Sequence, residues 1–286
     1  MDMNYQQIIE YGNKVLSLNN IKTSKLDSEL ILSKTLKQSR AQILINLNNK
    51  LNKNQINNYQ SYLLRRKQRE PMAYILGFKH FWKYKFYINN HVLIPRPDTE
   101  CIVEESLKFL PVNESKHILD IGTGSGCIVI SVLKERTKCN ATALDVSKEA
   151  LNVAKTNAKI HQLSNKIKFI NIDIDKYTSN KYDLILSNPP YIKNVILNRL
   201  DDDVKLYEPK LALNGGIDGF RDIKKVIKIS SKLLKNNGKL IIEIGDKQKN
   251  QTVLFLKKNG FFINKICKDL SGKDRCLVCS KIKINK

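Results

Sequence analysis

The hydrophobic positions along this chain change period as it runs. Up to about residue 75 they recur at helical spacing: Ile8, Ile9, Val15 and Leu16 share one face, and Leu26, Leu30, Ile31 and Leu36 another. Asp27 or Ser24 is placed to cap the second helix, and the Asn-rich stretch 46–58 supplies a turn and the next start. A third helix is expected through Tyr59, Leu63 and the cationic Arg65-Arg66-Lys67, stopping before Pro71, because a residue preceding proline is pushed out of helical geometry. Residues 1–75 therefore predict a small helical bundle. Residues 77–95 alternate and are aromatic: Phe78, Phe81, Trp82, Tyr84, Phe86 and Ile88, then Val92 to Ile94. Asn89-Asn90 between these runs has the composition of a tight hairpin turn, so 76–95 predicts a β-hairpin linker ended by Pro95 and Pro97.

From about residue 117 short apolar runs alternate with amphipathic stretches. This is the sign of an α/β domain with a parallel sheet covered on both faces, over 96–286. The runs 117–121, 141–144, 167–172, 183–186 and 240–244 are the successive strands, with 261–266 and 276–282 closing the sheet. The stretches 126–136, 147–161, 219–236 and 247–258 supply the crossing helices, and Gly238 after Lys235-Asn-Asn reads as a helix C-terminal signal.

Composition narrows the class without naming it. The 286 residues are 42% hydrophobic and 27% charged, which excludes wholesale disorder. No apolar run approaches the roughly 18 residues of a membrane span, and the start MDMNYQQIIE lacks a secretory pattern. The expectation is a soluble cytoplasmic protein. The charge of +23, from 50 Lys+Arg against 27 Asp+Glu, invites a nucleic-acid partner. It is spread evenly, however, with 12 basic and 5 acidic residues through Pro71 and no basic block elsewhere. Compositional drift and solvated faces explain that spread better than a dedicated nucleic-acid surface does. The six cysteines include one C-x-x-C, Cys276 to Cys279, without a second pair or a nearby His. It reads as a late strand holding small buried thiols, and no metal site is expected.

Two segments carry chemistry. Leu119-Asp-Ile-Gly-Thr-Gly-Ser-Gly126 follows a strand and opens a helix, so Gly122, Gly124 and Gly126 let the backbone approach a ligand and turn into a helix N-terminus. Asp145 ends the next strand, where a carboxylate accepts both hydroxyls of a ribose. Such a loop holds NAD, a flavin or a methyl donor; the G-x-G-x-G spacing lacks the third glycine of the dinucleotide fingerprint and so points away from NAD. Asn188-Pro-Pro-Tyr191 ends the apolar strand Tyr182–Ser187, and ligand sites of open α/β sheets lie outside the carboxyl ends of strands. Its prolines stiffen the backbone and leave carbonyls free to accept. An amide oxygen beside those carbonyls suits the grip of an NH2 group, with the Tyr191 ring over its planar substituent.

Asn188-Pro-Pro-Tyr191 resembles the catalytic motif of S-adenosylmethionine-dependent methyltransferases that act on planar NH2 nitrogens. Four further segments resemble the peptide chain release factor N5-glutamine methyltransferase family, the HemK/PrmC type. They are Gly77-Phe-Lys-His-Phe-Trp82, Leu93-Ile-Pro-Arg-Pro-Asp-Thr-Glu100, Tyr207-Glu-Pro-Lys-Leu-Ala-Leu213 with Gly216–Gly219, and Asp269-Leu-Ser-Gly-Lys-Asp-Arg275. The resemblance covers essentially the whole chain. It implies a Rossmann-like class I domain with a mostly parallel seven-stranded sheet, preceded by a helical substrate-recognition domain. It also implies S-adenosyl-L-methionine as cofactor, held by Gly122, Thr123, Gly124, Ser125, Gly126, Asp145, Ile174 and Asn188. Ile174 stands at the position flanking adenine, where many relatives carry an aromatic ring. By the same resemblance Asn188, Pro189, Pro190 and Tyr191 are catalytic and hold the glutamine amide of a Gly-Gly-Gln loop, with Arg96 and Glu100 shaping the wall between donor and amide. An ion pair at the domain junction is the other reading of Arg96 and Glu100. The implied partner is a release factor met by a monomer, with no stable nucleic-acid partner. An adenine-N6 or other amino methyltransferase acting on DNA or RNA is the nearest alternative, and a silent module that binds translation factors the next.

Overall fold

The structure is a computed structural model that describes residues 3–178, 181–269 and 271–282. Leu270 of the C-terminal signature and the outermost ends of the two expected terminal domains, at 1–2 and 283–286, lie outside the described residues. The chain divides into two compact units: residues 1–78 together with 201–207, and residues 79–200 together with 208–286. The hairpin thus belongs with the second unit from Lys79 on, and a short segment from the middle of the second domain belongs to the first.

In the first unit three helix starts follow one local rule. Asn4, Ser39 and Asn52 each accept the N–H three residues on, and Gln7, Gln42 and Gln55 return the bond, so helices 5–18, 40–45 and 53–67 all open on capping boxes. The second helix, Ser24–Leu36, does not: neither Asp27 nor Ser24 caps it, and its N-cap residue, Thr23, makes no side-chain bond to a backbone N–H of the first turn. Asp27 is used elsewhere. Its Oδ2 accepts the Thr23 hydroxyl at 2.9 Å and the Arg66 Nε at 2.7 Å, while Arg66 Nη1 reaches Asp203 at 2.6 Å. The cationic end of the third expected helix is therefore only partly a solvated face, since Arg66 is 6% exposed and Arg65 pairs with Glu70. Helices 40–45 and 72–76 had no counterpart in the sequence pattern.

In the second unit, β1 (Phe78–Phe81) and β2 (Tyr84–Tyr87) form the hairpin, and the turn between them is Trp82-Lys83 rather than Asn89-Asn90. Trp82 takes a left-handed φ of +55° that its composition does not advertise. It is held there from outside. Glu100 Oε1 accepts the Trp82 N–H at 2.7 Å, and Glu135 accepts the indole N–H at 3.2 Å. Asn89-Asn90 falls after β2, where Asn89 Oδ1 accepts the His91 N–H.

The strands β3 (His117–Ile121), β4 (Asn140–Asp145), β5 (Ile167–Asn171), β6 (Tyr182–Ser187), β7 (Leu234–Glu243), β8 (Phe261–Lys268) and β9 (Asp274–Lys281) make one sheet in the order β5-β4-β3-β6-β7-β9-β8. β9 is antiparallel to both its neighbours; the other pairings are parallel. Both faces are apolar because both are covered. Helices Glu100–Phe109 and Cys127–Glu135 pack on one face and Arg221–Leu233 and Lys249–Lys258 on the other. Cys276 and Cys279 are buried in these two different cores, which separates the C-x-x-C thiols onto opposite faces of β9. Gly238 is not a helix cap. The helix ends at Leu233, Asn237 carries the left-handed φ of +65°, and a Cβ on Gly238 would stand 2.9 Å from Leu234 Cδ2. Among the described residues no helix is long and apolar enough to cross a membrane.

Candidate active site

β3 pairs with β4 on one side and β6 on the other: the chain winds outward through β4 and β5 and then crosses to β6, and a crevice opens beyond the carboxyl end of β3 at this reversal. A cleft of about 380 Å³ lies there, within the range of small-molecule sites. The glycine loop forms one wall. Gly122, Gly124 and Gly126 have φ of +72°, +56° and +78°, and Cβ atoms on Gly122 or Gly124 would meet nothing within 4 Å, which leaves an open cradle of backbone. Gly126 serves packing instead: its Cβ would meet Ile130 Cδ1 at 3.0 Å and the Ala154 Cβ at 3.3 Å. Asp145 lines the cleft, accepting Gly124 N–H and Ser147 N–H at 2.9 Å each. Burial pushes its carboxyl up from the ordinary range, against those backbone donors. Each oxygen keeps a lone pair for a further donor. This cradle, with its flanking carboxylate, fits a nucleoside carrying a charged amino-acid tail. Ile174 also lines the cleft.

Asp120, inside the same motif, was not singled out from the sequence. It is fully buried, its Oδ2 accepts the Thr123 hydroxyl at 2.6 Å, and its Oδ1 has no partner among the described residues. Burial pushes its carboxyl up to about 7. The only sequence signal was its place at the end of an apolar strand, where a charged residue is out of register with its surroundings.

Asn188, Pro189 and Pro190 line the opposite wall. Ser187, just before them, donates to the Ile121 carbonyl at 2.8 Å and so ties the end of β6 to that of β3. The Asn188 Nδ2 donates to Thr99 Oγ1 at 3.1 Å, and Thr99 donates to Glu243 Oε2 at 2.7 Å. Tyr191 is not on the cleft wall. Its hydroxyl donates to Glu243 Oε1 at 3.0 Å. Arg96 and Thr99 line the cleft, whereas Glu100 does not. Nor do Arg96 and Glu100 pair with each other. Arg96 pairs with the buried Glu208, whose other oxygen accepts the Ile94 N–H, and Glu100 holds the Trp82 turn. A sequence shows that acids and bases are present but not which of them meet. Thr99, Glu208 and Glu243 lay in segments of the family signature or at a strand end, without a spacing to mark them.

A cleft at the switch point of an α/β sheet is a general ligand site, and comparison with known proteins assigns this one to the methyltransferases. The methyltransferase small domain family model matches residues 105–199, and the PrmC N-terminal domain model matches residues 7–77. The fold is shared with a methyltransferase from Pyrococcus furiosus, at a TM-score of 0.54 and 22% identity over 79% of this chain and 99% of that one. It is shared too with a ribosomal protein L11 methylase from Lactobacillus delbrueckii subsp. bulgaricus, at 0.51 and 18% over 72% and 90%. Release factor glutamine methyltransferases of Caulobacter vibrioides and Buchnera aphidicola are each 36% identical, over 88% of this chain and 88% of that protein in the first case and 94% and 97% in the second. The chain belongs to the release factor glutamine methyltransferase family. It is also 32% identical over its full length to a bifunctional methyltransferase of Rickettsia felis, of which it spans 60%.

Proposed function

We propose that this chain methylates the side-chain amide nitrogen of the glutamine in the Gly-Gly-Gln loop of peptide chain release factors, with S-adenosyl-L-methionine as donor. The observation that carries this reading is the common cleft: the glycine cradle and Asp145 stand on one wall, and Asn188 with Pro189 on the other. The donor, when bound, supplies an electrophilic methyl on a sulfonium. Gly122 to Ser125 hold its methionine end, Asp145 its ribose, and Ile174 flanks its base. An amide nitrogen is a poor nucleophile because its lone pair is delocalised. The Asn188 side-chain oxygen and the Pro189 carbonyl take its two N–H hydrogens, which turns the lone pair toward the methyl and leaves an in-line approach. The same acceptors stabilise the positive charge that develops on nitrogen. Arg96, fixed by Glu208, forms the rim by which the loop enters.

The test is a transfer assay with labelled donor and four acceptors: purified release factor, transfer RNA, ribosomal RNA and DNA. Label on the release factor alone, abolished by changing its Gly-Gly-Gln glutamine, is the expected result. Label on nucleic acid alone overturns the reading, and label on nothing leaves only a binding module.

A further inference from the structure

Asn188 is the residue expected to hold the substrate amide, yet an asparagine side chain presents either an acceptor or two donors depending on which way its amide is turned. Only the oxygen can take an N–H. The structure contains a device that decides the orientation. We propose that Glu243 and Thr99 are positioning residues that fix the Asn188 amide with its oxygen toward the cleft, a proposal that rests on the function given above.

The argument is one of donor counting along a chain of hydrogen bonds. The Tyr191 hydroxyl directs its proton to Glu243 Oε1 at 3.0 Å. Glu243 as a carboxylate only accepts. Thr99, with a single hydroxyl proton, therefore gives it to Glu243 Oε2 at 2.7 Å and has only a lone pair left for Asn188. Asn188 must then turn its NH2 to Thr99, where Nδ2 stands at 3.1 Å, and its oxygen is left for the other side. Glu243 is 1% exposed and Thr99 3%, so water does not offer the alternative partners that would blur this direction. A threonine hydroxyl and a fully buried carboxylate at the end of β7 are costly unless they organise something.

Protonation of Glu243 reverses the chain. A carboxylic acid donates through one oxygen; if that proton points to Thr99, the threonine hydroxyl turns to Asn188 and the amide must present its oxygen inward and its NH2 to the cleft. Burial pushes the Glu243 carboxyl up to about 7, opposed by the Thr99 and Tyr191 hydrogen bonds and by Arg275 and reinforced by Asp98. Arg275 itself faces Asp98 at 3.5 Å and Asp269 at 2.8 Å and stays charged. Tyr191 is held above its ordinary range by burial and the Glu243 charge, and so keeps its proton. Cys276, the register partner of Glu243 on β9, is held well above the ordinary thiol range, first by its bonds with Cys101 and Cys267, and stays neutral. The titrating member of the group is Glu243.

The test compares wild type with Thr99→Val, Thr99→Ser and Glu243→Gln for kcat on a release factor, KM for the factor, donor affinity and the pH profile. In Glu243→Gln, Tyr191 retains the amide oxygen and the NH2 faces Thr99, which reverses the direction while conserving shape. The expected results are a fall in kcat of at least ~30-fold for Thr99→Val and Glu243→Gln, the scale of losing one aligned transition-state hydrogen bond, with donor affinity unchanged within ~threefold. Thr99→Ser, which keeps the hydroxyl, restores most of the rate. Wild-type kcat falls as pH drops through about 7, and this inflection is absent from Glu243→Gln. A Glu243→Gln enzyme with wild-type kcat and an unchanged inflection overturns the proposal. So does Thr99→Val with full activity. If Thr99→Ser fails together with Thr99→Val, the role is packing and the proposal also falls. Wild type inactive on release factors is a different outcome and refutes the function on which the proposal rests.

Discussion

Replacing Asp145 by alanine tests the donor site at the point where its chemistry is most exposed. The carboxylate stands on the cleft wall with one lone pair of each oxygen taken by Gly124 N–H and Ser147 N–H, both at 2.9 Å. In the proposed function two ribose hydroxyls of the donor complete its acceptor set. Hydrogen bonds to a charged acceptor contribute about 1.5–3 kcal/mol each. Because water reaches the open cleft and partly replaces the lost acceptor, the lower end applies, and the pair is worth about 3 kcal/mol. At about 1.4 kcal/mol per decade this is roughly a 100-fold loss of affinity. Asp145→Asn, although isosteric, does no better, because its NH2 must face one of the two backbone N–H groups. Calorimetric titration with S-adenosyl-L-methionine or its demethylated product reads the Kd directly, and thermal unfolding of each variant shows that the fold survives. Affinity of the wild type weakens toward acid pH, and does so above the ordinary aspartate range because burial raises this carboxyl. A folded Asp145→Ala protein that binds within ~threefold of wild type refutes the assignment.

Arg66→Ala leaves Asp27, 3% exposed, without its guanidinium, and removal of one partner from a buried pair costs about 3–5 kcal/mol; the expected result is a markedly lower first unfolding midpoint, and a shift equivalent to less than ~1 kcal/mol contradicts it. Asp120 carries a folded pKa raised to about 7, so the folded state holds the proton more tightly and its stabilising share is complete at acid pH and lost as pH rises through about 7. With an ordinary value near 3.9, the ceiling of that loss is about 4 kcal/mol. Asp120→Asn should therefore lose less stability than wild type between pH 5 and pH 8, and parallel stability curves would show the carboxyl to be unperturbed. The charge of +23 predicts a capture rate for an acidic substrate that falls with salt, as the Debye length shrinks from about 10 Å at 0.1 M to about 3 Å at 1 M; a salt-independent rate in stopped flow assigns the charge no part in capture.

The parts of this molecule that were legible in the sequence are those where a local rule acts. Apolar runs found six of the seven strands to within two residues at each end, because strands covered on both faces need near-continuous hydrophobic sequence, whereas β7 starts at Leu234, six residues before the expected run, in a polar stretch read as the end of a helix. The glycine loop and Asn188-Pro-Pro-Tyr191 were legible because backbone geometry and carbonyl supply are written in residue type. The hairpin turn was not: Trp82 is left-handed because Glu100 and Glu135, from two helices, hold it so, and no property of the Trp-Lys dipeptide says this. Nor does residue type show that the Tyr191 hydroxyl is bound to Glu243, 52 residues away.

The pairing of charges follows from the path of the chain rather than from its composition. After Asn188-Pro-Pro-Tyr191 the chain runs through helix 194–197 into the segment 201–207, which belongs to the helical unit. There Asp203 meets Arg66 and the Tyr207 hydroxyl donates to the Gln68 carbonyl at 2.6 Å. One residue later the chain is back in the second unit, and that residue is Glu208, which is buried against Arg96. The carboxylate that orients the cleft rim thus directly follows a segment anchored in the other unit. Composition shows an excess of lysine and arginine spread along 286 residues, while three of the arginines that matter, Arg66, Arg96 and Arg275, are each committed to specific carboxylates. Net charge describes the surface a partner meets from afar, and these three arginines, each neutralised by the carboxylates that hold it, add little to it.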